Sequence, residues 1–283
     1  MTEVLHSKEA LFSWRARQKE VALVPTMGAL HAGHLALMRA ARERGGSCLV
    51  SIFVNPLQFG PQEDFLRYPR NLEEDVSFLE KEGVEAVFAP SAEDIYPEPQ
   101  VVFVELPPIA HDLCGASRPG HFRGVATVVL KLMHLSNPGA AVFGKKDWQQ
   151  WFLVRLMARQ LALSAEIAGV PTVREEDGLA ASSRNRYLGE EERQRASALY
   201  RTLLGLAHDI VEGRRDFRVL EDRGAKVLSR LGWQVDYIAI RSQKTLLPAE
   251  LQDTALVILG AASIGGVRLI DNVELLLPEA GRG

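Results

Sequence analysis

The run Cys48-Leu49-Val50-Ser51-Ile52-Phe53-Val54 is apolar at almost every position, not at every second one. A strand of that kind has no face to give to water. It belongs in a sheet covered on both sides, which means parallel strands joined by helical crossovers. The first two-thirds of the chain repeats the signal. Residues 21–25, 85–90, 140–143 and 165–170 are further short apolar runs, and residues 35–44, 71–82, 125–135 and 149–161 carry helical spacing between them. In the second of these helices Asn71 is placed to cap, Leu72, Val76 and Leu79 share a face, and Gly83 stops the turn. The predicted fold class is therefore α/β, a Rossmann-like doubly wound parallel sheet.

After about residue 175 the texture changes. Helical stretches at 190–212 and 217–231 precede strand-like runs at 233–240, 254–259 and 267–270. Two helices followed by three strands predict a smaller α+β domain with an antiparallel sheet. The expected division is residues 1–174 for the larger domain and 175–283 for the smaller, which carries little chemistry of its own and is expected to act as a lid.

Composition narrows the function. A formal charge of −3, from 33 basic and 36 acidic side chains, lacks the basic footprint of a nucleic-acid binder. No apolar run approaches the roughly 18 residues needed to span a membrane. The first twenty residues do not read as a secretory leader, and two cysteines, Cys48 and Cys114, make neither a disulfide framework nor a cysteine-rich zinc site. A cytoplasmic protein is expected, with no metal held by a His/Cys/carboxylate cluster and with Cys114 a small buried hydrophobe.

In parallel sheets of this type ligands bind beyond the carboxyl ends of the strands. Four polar segments lie there. The first, Met27-Gly28-Ala29-Leu30-His31-Ala32-Gly33-His34, follows a strand and opens a helix. Its two histidines form the H-x-G-H signature of nucleotidyl-transferring enzymes. Attack on the α-phosphate of a nucleoside triphosphate builds negative charge, which imidazole donors and helix N-terminal N–H groups can meet. Gly28 and Gly33 allow close backbone approach. In the second, Asn55-Pro56-Leu57-Gln58, neutral amides can orient a carboxylate without quenching it as a nearby cation would. The third, Gly144-Lys145-Lys146-Asp147-Trp148-Gln149-Gln150, offers a lysine for phosphate and an Asp for a ribose hydroxyl or a helix cap. The fourth, Ala181-Ser182-Ser183-Arg184, offers hydroxyls and one fixed cation to triphosphate oxygens.

These segments, with Arg118-Pro119-Gly120-His121-Phe122, resemble in order and spacing the pantoate–β-alanine ligase (pantothenate synthetase) family over essentially the whole chain. The resemblance implies that ATP and pantoate give pantoyl adenylate and pyrophosphate, after which β-alanine attacks the acyl carbon and pantothenate and AMP leave. It implies that the larger domain binds nucleotide and pantoate. It places Met27 to His34 against ATP, His34 as the group stabilising the transition state and His31 assisting at the phosphates. By the same resemblance Gly144, Lys145, Lys146, Asp147, Val173, Ala181, Ser182, Ser183 and Arg184 complete the nucleotide site, with Lys146 and Arg184 the catalytic cations. Gln58 and Gln150 would hold pantoate, Gln58 also near β-alanine, with Asn55 and Tyr68 as further substrate contacts. ATP with Mg²⁺, and a homodimer, follow from the same source. Two alternatives stand beside it. One is another H-x-G-H adenylyl- or cytidylyltransferase, whose phosphate acceptor would call for cations where Gln58 and Gln150 are neutral. The other is a nucleotide sensor without turnover.

Overall fold

The computed structural model describes residues 1–278 except 62 and 64. The first part of the chain runs β1 (Glu3–Leu5), α1 (Lys8–Arg15), β2 (Val21–Thr26), α2 (Ala32–Glu43), β3 (Ser47–Ile52), α3 (Leu72–Lys81) and β4 (Ala86–Phe88). Two short helices follow, α4 (Ala92–Ile95) and α5 (Cys114–Ser117), then α6 (His121–Ser136), β5 (Ala140–Gly144), α7 (Trp148–Gln160) and β6 (Glu166–Val170). The second part comprises α8 (Glu190–Arg195), α9 (Ala198–Val211), α10 (Phe217–Arg230), β7 (Gln234–Ser242), β8 (Ala255–Ile264) and β9 (Val267–Leu276). Two compact units result. One is Met1–Lys145 with Gln149–Thr172; the other is Lys146–Trp148 with the chain from Val173 onward.

The first unit holds a six-stranded sheet in the order β1-β4-β3-β2-β5-β6, every neighbouring pair parallel. The doubly wound α/β architecture read from the sequence is the one observed. Val21, Ala22, Leu23 and Val24 of β2 are each at most 1% exposed, so both faces of that strand are covered. On one face Ala22, Val24, Cys48, Val50 and Val87 pack with Leu37, Met38 and Ala41 of α2 and Leu79 of α3. Helix α6 packs on β2 and α1 on α6. Burial pushes the Cys48 thiol up to about 12, which makes it an inert part of this core. Cys114 is buried as expected.

The second unit has β7-β8-β9 as an antiparallel sheet. Leu199, Leu203, Leu206 and Ile210 of α9 and Leu220 and Leu228 of α10 share its core with Ile238, Ile240, Leu256 and Ile258. The single helix expected over 190–212 is two. None of the polar α8 residues is buried, whereas Ala196 and Ser197 are; the chain tightens there, with Ala196 N–H bonded to Arg193 O at 3.3 Å, before the apolar α9 begins. The expected strand over 267–270 continues to Leu276. β1 and α1, which the sequence reading left unassigned, add an edge strand paired Glu3↔Ala86.

One close approach sets where the second polar segment lies. A Cβ on Gly124 of α6 would fall 2.3 Å from Leu57 O and 2.8 Å from Gln58 N. Backbone meets backbone there, so neither side can yield cheaply. Gly124→Ala is expected to lose roughly 1–3 kcal/mol by overpacking. Calorimetry checks this, and an unchanged midpoint would count against the contact.

Candidate active site

The β2–α2 loop is shaped before any ligand arrives. Gly28 and Ala29 have φ of 80° and 52°, a left-handed pair that turns the chain away from the sheet. Thr26 Oγ1 accepts from Gly28 N–H at 3.1 Å. Asp75, on α3 and 4% exposed, holds the rest: its two carboxylate oxygens accept from Ala29 N–H at 3.0 Å and Leu30 N–H at 2.8 Å. A Cβ on Gly28 would sit 2.8 Å from the same carboxylate, so glycine is required for space as well as for φ.

This loop delivers His31 as the N-cap of α2, with Ala32 and Gly33 as its first two residues. His31 Nδ1 accepts from Gly33 N–H at 3.1 Å, and His34 Nδ1 accepts from His31 N–H at 3.3 Å. An Nδ1 that accepts a backbone N–H carries no proton, so each neutral imidazole holds its proton on Nε2. The rings lie 4.2 Å apart by centroid. The helix start thus presents two imidazoles as oriented donors beside its own N-terminal dipole.

The amide segment follows β3. Asn55 is 1% exposed and its orientation is forced: Oδ1 accepts from Leu57 N–H at 3.3 Å and from the Tyr96 hydroxyl at 2.8 Å, while Nδ2 donates to Gly124 O at 3.2 Å. Burial raises the Tyr96 phenol above its usual range, which keeps its proton in place to donate. Asn55 Nδ2 also donates to Gln58 Oε1 at 3.1 Å, leaving Gln58 Nε2 against the soft Met27 Sδ at 3.1 Å. Gln58 is therefore set as a donor on the side away from Asn55. Both ends of the Asn55 amide are thus occupied within the protein.

The Gln58 carbonyl is held as well. His121 Nδ1 donates to it at 2.8 Å, and His121 Nε2 accepts from Arg118 Nη1 at 3.0 Å. Arg118 forks onto Glu63 at 3.0 and 2.5 Å. Burial opposes ionisation of Glu63, yet the hydrogen bond and charge of Arg118 hold its carboxyl below the ordinary value. Tyr68 is buried, edge-on to Phe59 with centroids 6.0 Å apart. Of the adjacent glutamines on α7, Gln149 is committed to the 109–114 loop through Cys114 N–H, Ile109 O and Asp112 O. The Gln150 side chain is half-buried and makes no hydrogen bond among the described residues. Gly144 ends β5, and the Lys145 ammonium lies 5.1 Å from the Trp151 ring centre.

The remaining candidates belong to the second unit. Lys146 Nζ is 3.8 Å from Asp147 Oδ2. Val173 and Ala181 are brought together by a hairpin: Ala181 N–H donates to Val173 O at 2.9 Å, Arg174 bridges Ala180, and Gly178 turns the chain with φ of 91°. Arg193 clamps this hairpin through Glu175 at 2.5 Å and Asp177 at 2.6 Å. Its hydrogen bond holds the Asp177 carboxyl below the usual range. Ser182 caps the turn Ser183–Tyr187, its Oγ accepting from Arg184 N–H at 3.3 Å. Ser183 and Arg184 are half-buried. Among the described residues no group of three or more His, Cys, Asp or Glu could hold a metal ion.

Sequence reasoning missed Asp75, Tyr96 and Gln149. Each acts through a partner at least 35 positions away in the chain, and nothing local marks them. An acidic residue in the first turn of a helix such as α3 reads simply as a favourable charge near the dipole.

A family model described as Pantoate-beta-alanine ligase matches residues 1–274. A pantothenate synthetase of Methylobacillus flagellatus is 52% identical over 265 residues, 93% of this chain and 95% of that one. One from Neisseria meningitidis serogroup B is 49% identical over 98% of this chain and all of its own. Among solved structures, pantothenate synthetase from Thermus thermophilus superposes with a TM-score of 0.91 at 43% identity, covering 98% of this chain and 100% of that one. The pantoate-beta-alanine ligase of Francisella tularensis, complexed with Beta-gamma ATP and beta-alanine, does so at 0.78 and 34%, covering 96% and 97%.

The loop geometry has its own test. Asp75→Ala leaves two N–H groups without their acceptor, roughly 1–3 kcal/mol for each buried donor. Faster hydrogen exchange at the Ala29 and Leu30 amides is expected, with a lowered unfolding midpoint; native protection at both would show that the carboxylate is dispensable to the loop.

Proposed function

The chain belongs to the pantoate–β-alanine ligase family, and on that premise we propose how its own residues carry the reaction. The enzyme is an ATP-dependent, AMP-forming carbon–nitrogen ligase. A pantoate carboxylate oxygen attacks the α-phosphorus and pyrophosphate leaves; the β-alanine nitrogen then attacks the acyl carbon of pantoyl adenylate, and AMP leaves with pantothenate.

The first step needs charge stabilisation more than a base, because pantoate is already a carboxylate near neutral pH. In our reading His34 and His31 donate from Nε2 to the phosphate oxygens as charge develops, assisted by the α2 N-terminus. The residues from Met27 to Gly33 cradle ATP by their backbone. Lys146 and Arg184 neutralise the triphosphate, Ser182 and Ser183 add hydroxyl donors, and Gly144, Lys145, Asp147, Val173 and Ala181 line the nucleotide. Gln58 donates from Nε2 to pantoate, in place of its contact with Met27 Sδ, and Gln150 supplies a second amide. Tyr68 walls the substrate, while Asn55 acts by orienting Gln58. Mg²⁺ enters as part of the substrate, on the ATP phosphates, which suits a cation that keeps few protein ligands at such sites. We extend the reading to a homodimer in the cytoplasm. No helix among the described residues is long and apolar enough to cross a membrane.

The observation that carries this reading is the paired capping of His31 and His34, which fixes both imidazole protons on Nε2 at the start of a helix. A transferase with a phosphate acceptor would present cations where Gln58 presents a neutral donor.

Incubation with ATP, Mg²⁺ and pantoate, with and without β-alanine, is expected to give pantothenate and AMP together only when β-alanine is present. His34→Ala and Lys146→Ala should each slow adenylate formation by at least about a hundredfold, the scale of one transition-state donor. Near-normal pyrophosphate release from either would remove that residue from its role. Asn55→Asp puts an acceptor against Gln58 Oε1, so the Gln58 amide should turn over and the KM for pantoate rise roughly tenfold while that for ATP holds. An unchanged pantoate KM would show that Asn55 does not set the polarity of Gln58.

A further inference from the structure

Asp271 and Asn272 are consecutive on β9, and successive residues of a strand point to opposite faces. Both are nonetheless 4% exposed, where apolar residues would complete the unit without needing partners. Their partners lie outside the sheet. Asp271 takes the Arg174 guanidinium in two parallel bonds, Nη1 to Oδ2 at 2.7 Å and Nη2 to Oδ1 at 2.9 Å. Arg174 also donates to Gly178 O at 3.0 Å and Asn272 O at 3.1 Å, and lies 3.5 Å over the Tyr200 ring. With the donors of both its Nη atoms spent inside the protein, this cation ties the hairpin that leads to Ser182, Ser183 and Arg184 to β9. Asn272 reaches the other segment, donating from Nδ2 to Lys146 O at 3.0 Å. Its backbone N–H donates to Asp271 Oδ1 at 2.7 Å, a further bond that holds the carboxylate in place.

We propose that Asp271 and Asn272 are positioning residues for the ATP-phosphate groups of the second unit. Asp271 sets the hairpin through Arg174, and Asn272 sets the backbone at Lys146. The inference rests on the reading above that Lys146, Ser182, Ser183 and Arg184 meet the triphosphate. It goes beyond that reading by giving a task to two residues whose bonds are to other protein groups.

The experiment uses Asn272→Asp in the full chain, which keeps shape and turns the donor facing Lys146 O into an acceptor. The ATP dissociation constant by equilibrium dialysis and the KM for ATP should both rise roughly tenfold or more, as for a displaced positioning group. The KM values for pantoate and β-alanine should not move. In a Lys146→Ala background the same substitution should add nothing, since its effect runs through that lysine. If Asn272→Asp fails to fold, Asn272→Ala carries the same comparison. Unchanged ATP affinity in the folded variant overturns the proposal. An equal loss with and without Lys146 also overturns it, because it marks general damage. Should Lys146→Ala alone leave adenylate formation intact, the underlying reading of the lysine fails and the positioning role of Asn272 falls with it.

Discussion

Strand β2 pairs in parallel with β3 along its whole length but with β5 only at Ala22 and Leu23. From β2 the chain winds outward through β3 and β4 on one side, and returns to β5 and β6 on the other. Such a reversal is where, in sheets of this kind, the connections leave in opposite directions and ligands bind beyond the strand ends. The candidate groups of the first unit follow from this constraint. The loop after β2 and the first turn of α2 carry the two histidines, the turn after β3 carries Gln58, and Gly144 closes β5.

Placement alone does not prepare the chemistry; orientation of protons does. His31, His34, Asn55 and Gln58 are all ambivalent hydrogen-bonding groups, able to face a ligand as donor or acceptor. In each case backbone groups remove the ambiguity. Gly33 N–H and His31 N–H claim the two Nδ1 atoms, while Leu57 N–H and Gly124 O fix Asn55, and through it Gln58. A backbone N–H can only donate and a carbonyl can only accept, so the outcome is a row of neutral donors. Such donors recognise carboxylate and phosphate oxygens without introducing a counter-charge that would lower the nucleophilicity of the carboxylate. Preorganised dipoles of this kind also need no rearrangement as charge develops.

The apolar run 48–54 was enough to read a parallel sheet, because burial on both faces leaves its mark at every residue of the strand. The H-x-G-H segment was legible for a similar reason, since its function and its helix cap lie within four residues. Asp75, Tyr96 and Asp271 carry no such mark. Each is defined by a partner brought near by the fold, and a carboxylate in a helix or a polar residue in a strand looks the same whether it is solvated or buried. Asn55 shows the intermediate case. Its residue type and place beside Gln58 were readable, but not that both ends of its amide are hydrogen-bonded inside the protein. The break between α8 and α9 was hidden because charged and apolar halves kept one helical period across it.

The two adjacent lysines carry the same argument to its finest scale. In sequence Lys145 and Lys146 offer the same charge at the same strand end. In the structure the first lies over the Trp151 ring in the unit built on the parallel sheet, and the second has its carbonyl held by Asn272 in the unit built on β7-β8-β9. A 3-10 turn over Lys145–Asp147 carries the chain from the first to the second. An ammonium over an aromatic face is partly committed to it. The second lysine has its ammonium 3.8 Å from Asp147 Oδ2. What distinguishes them is therefore which atom the protein holds, and that depends on β9, more than 120 residues downstream.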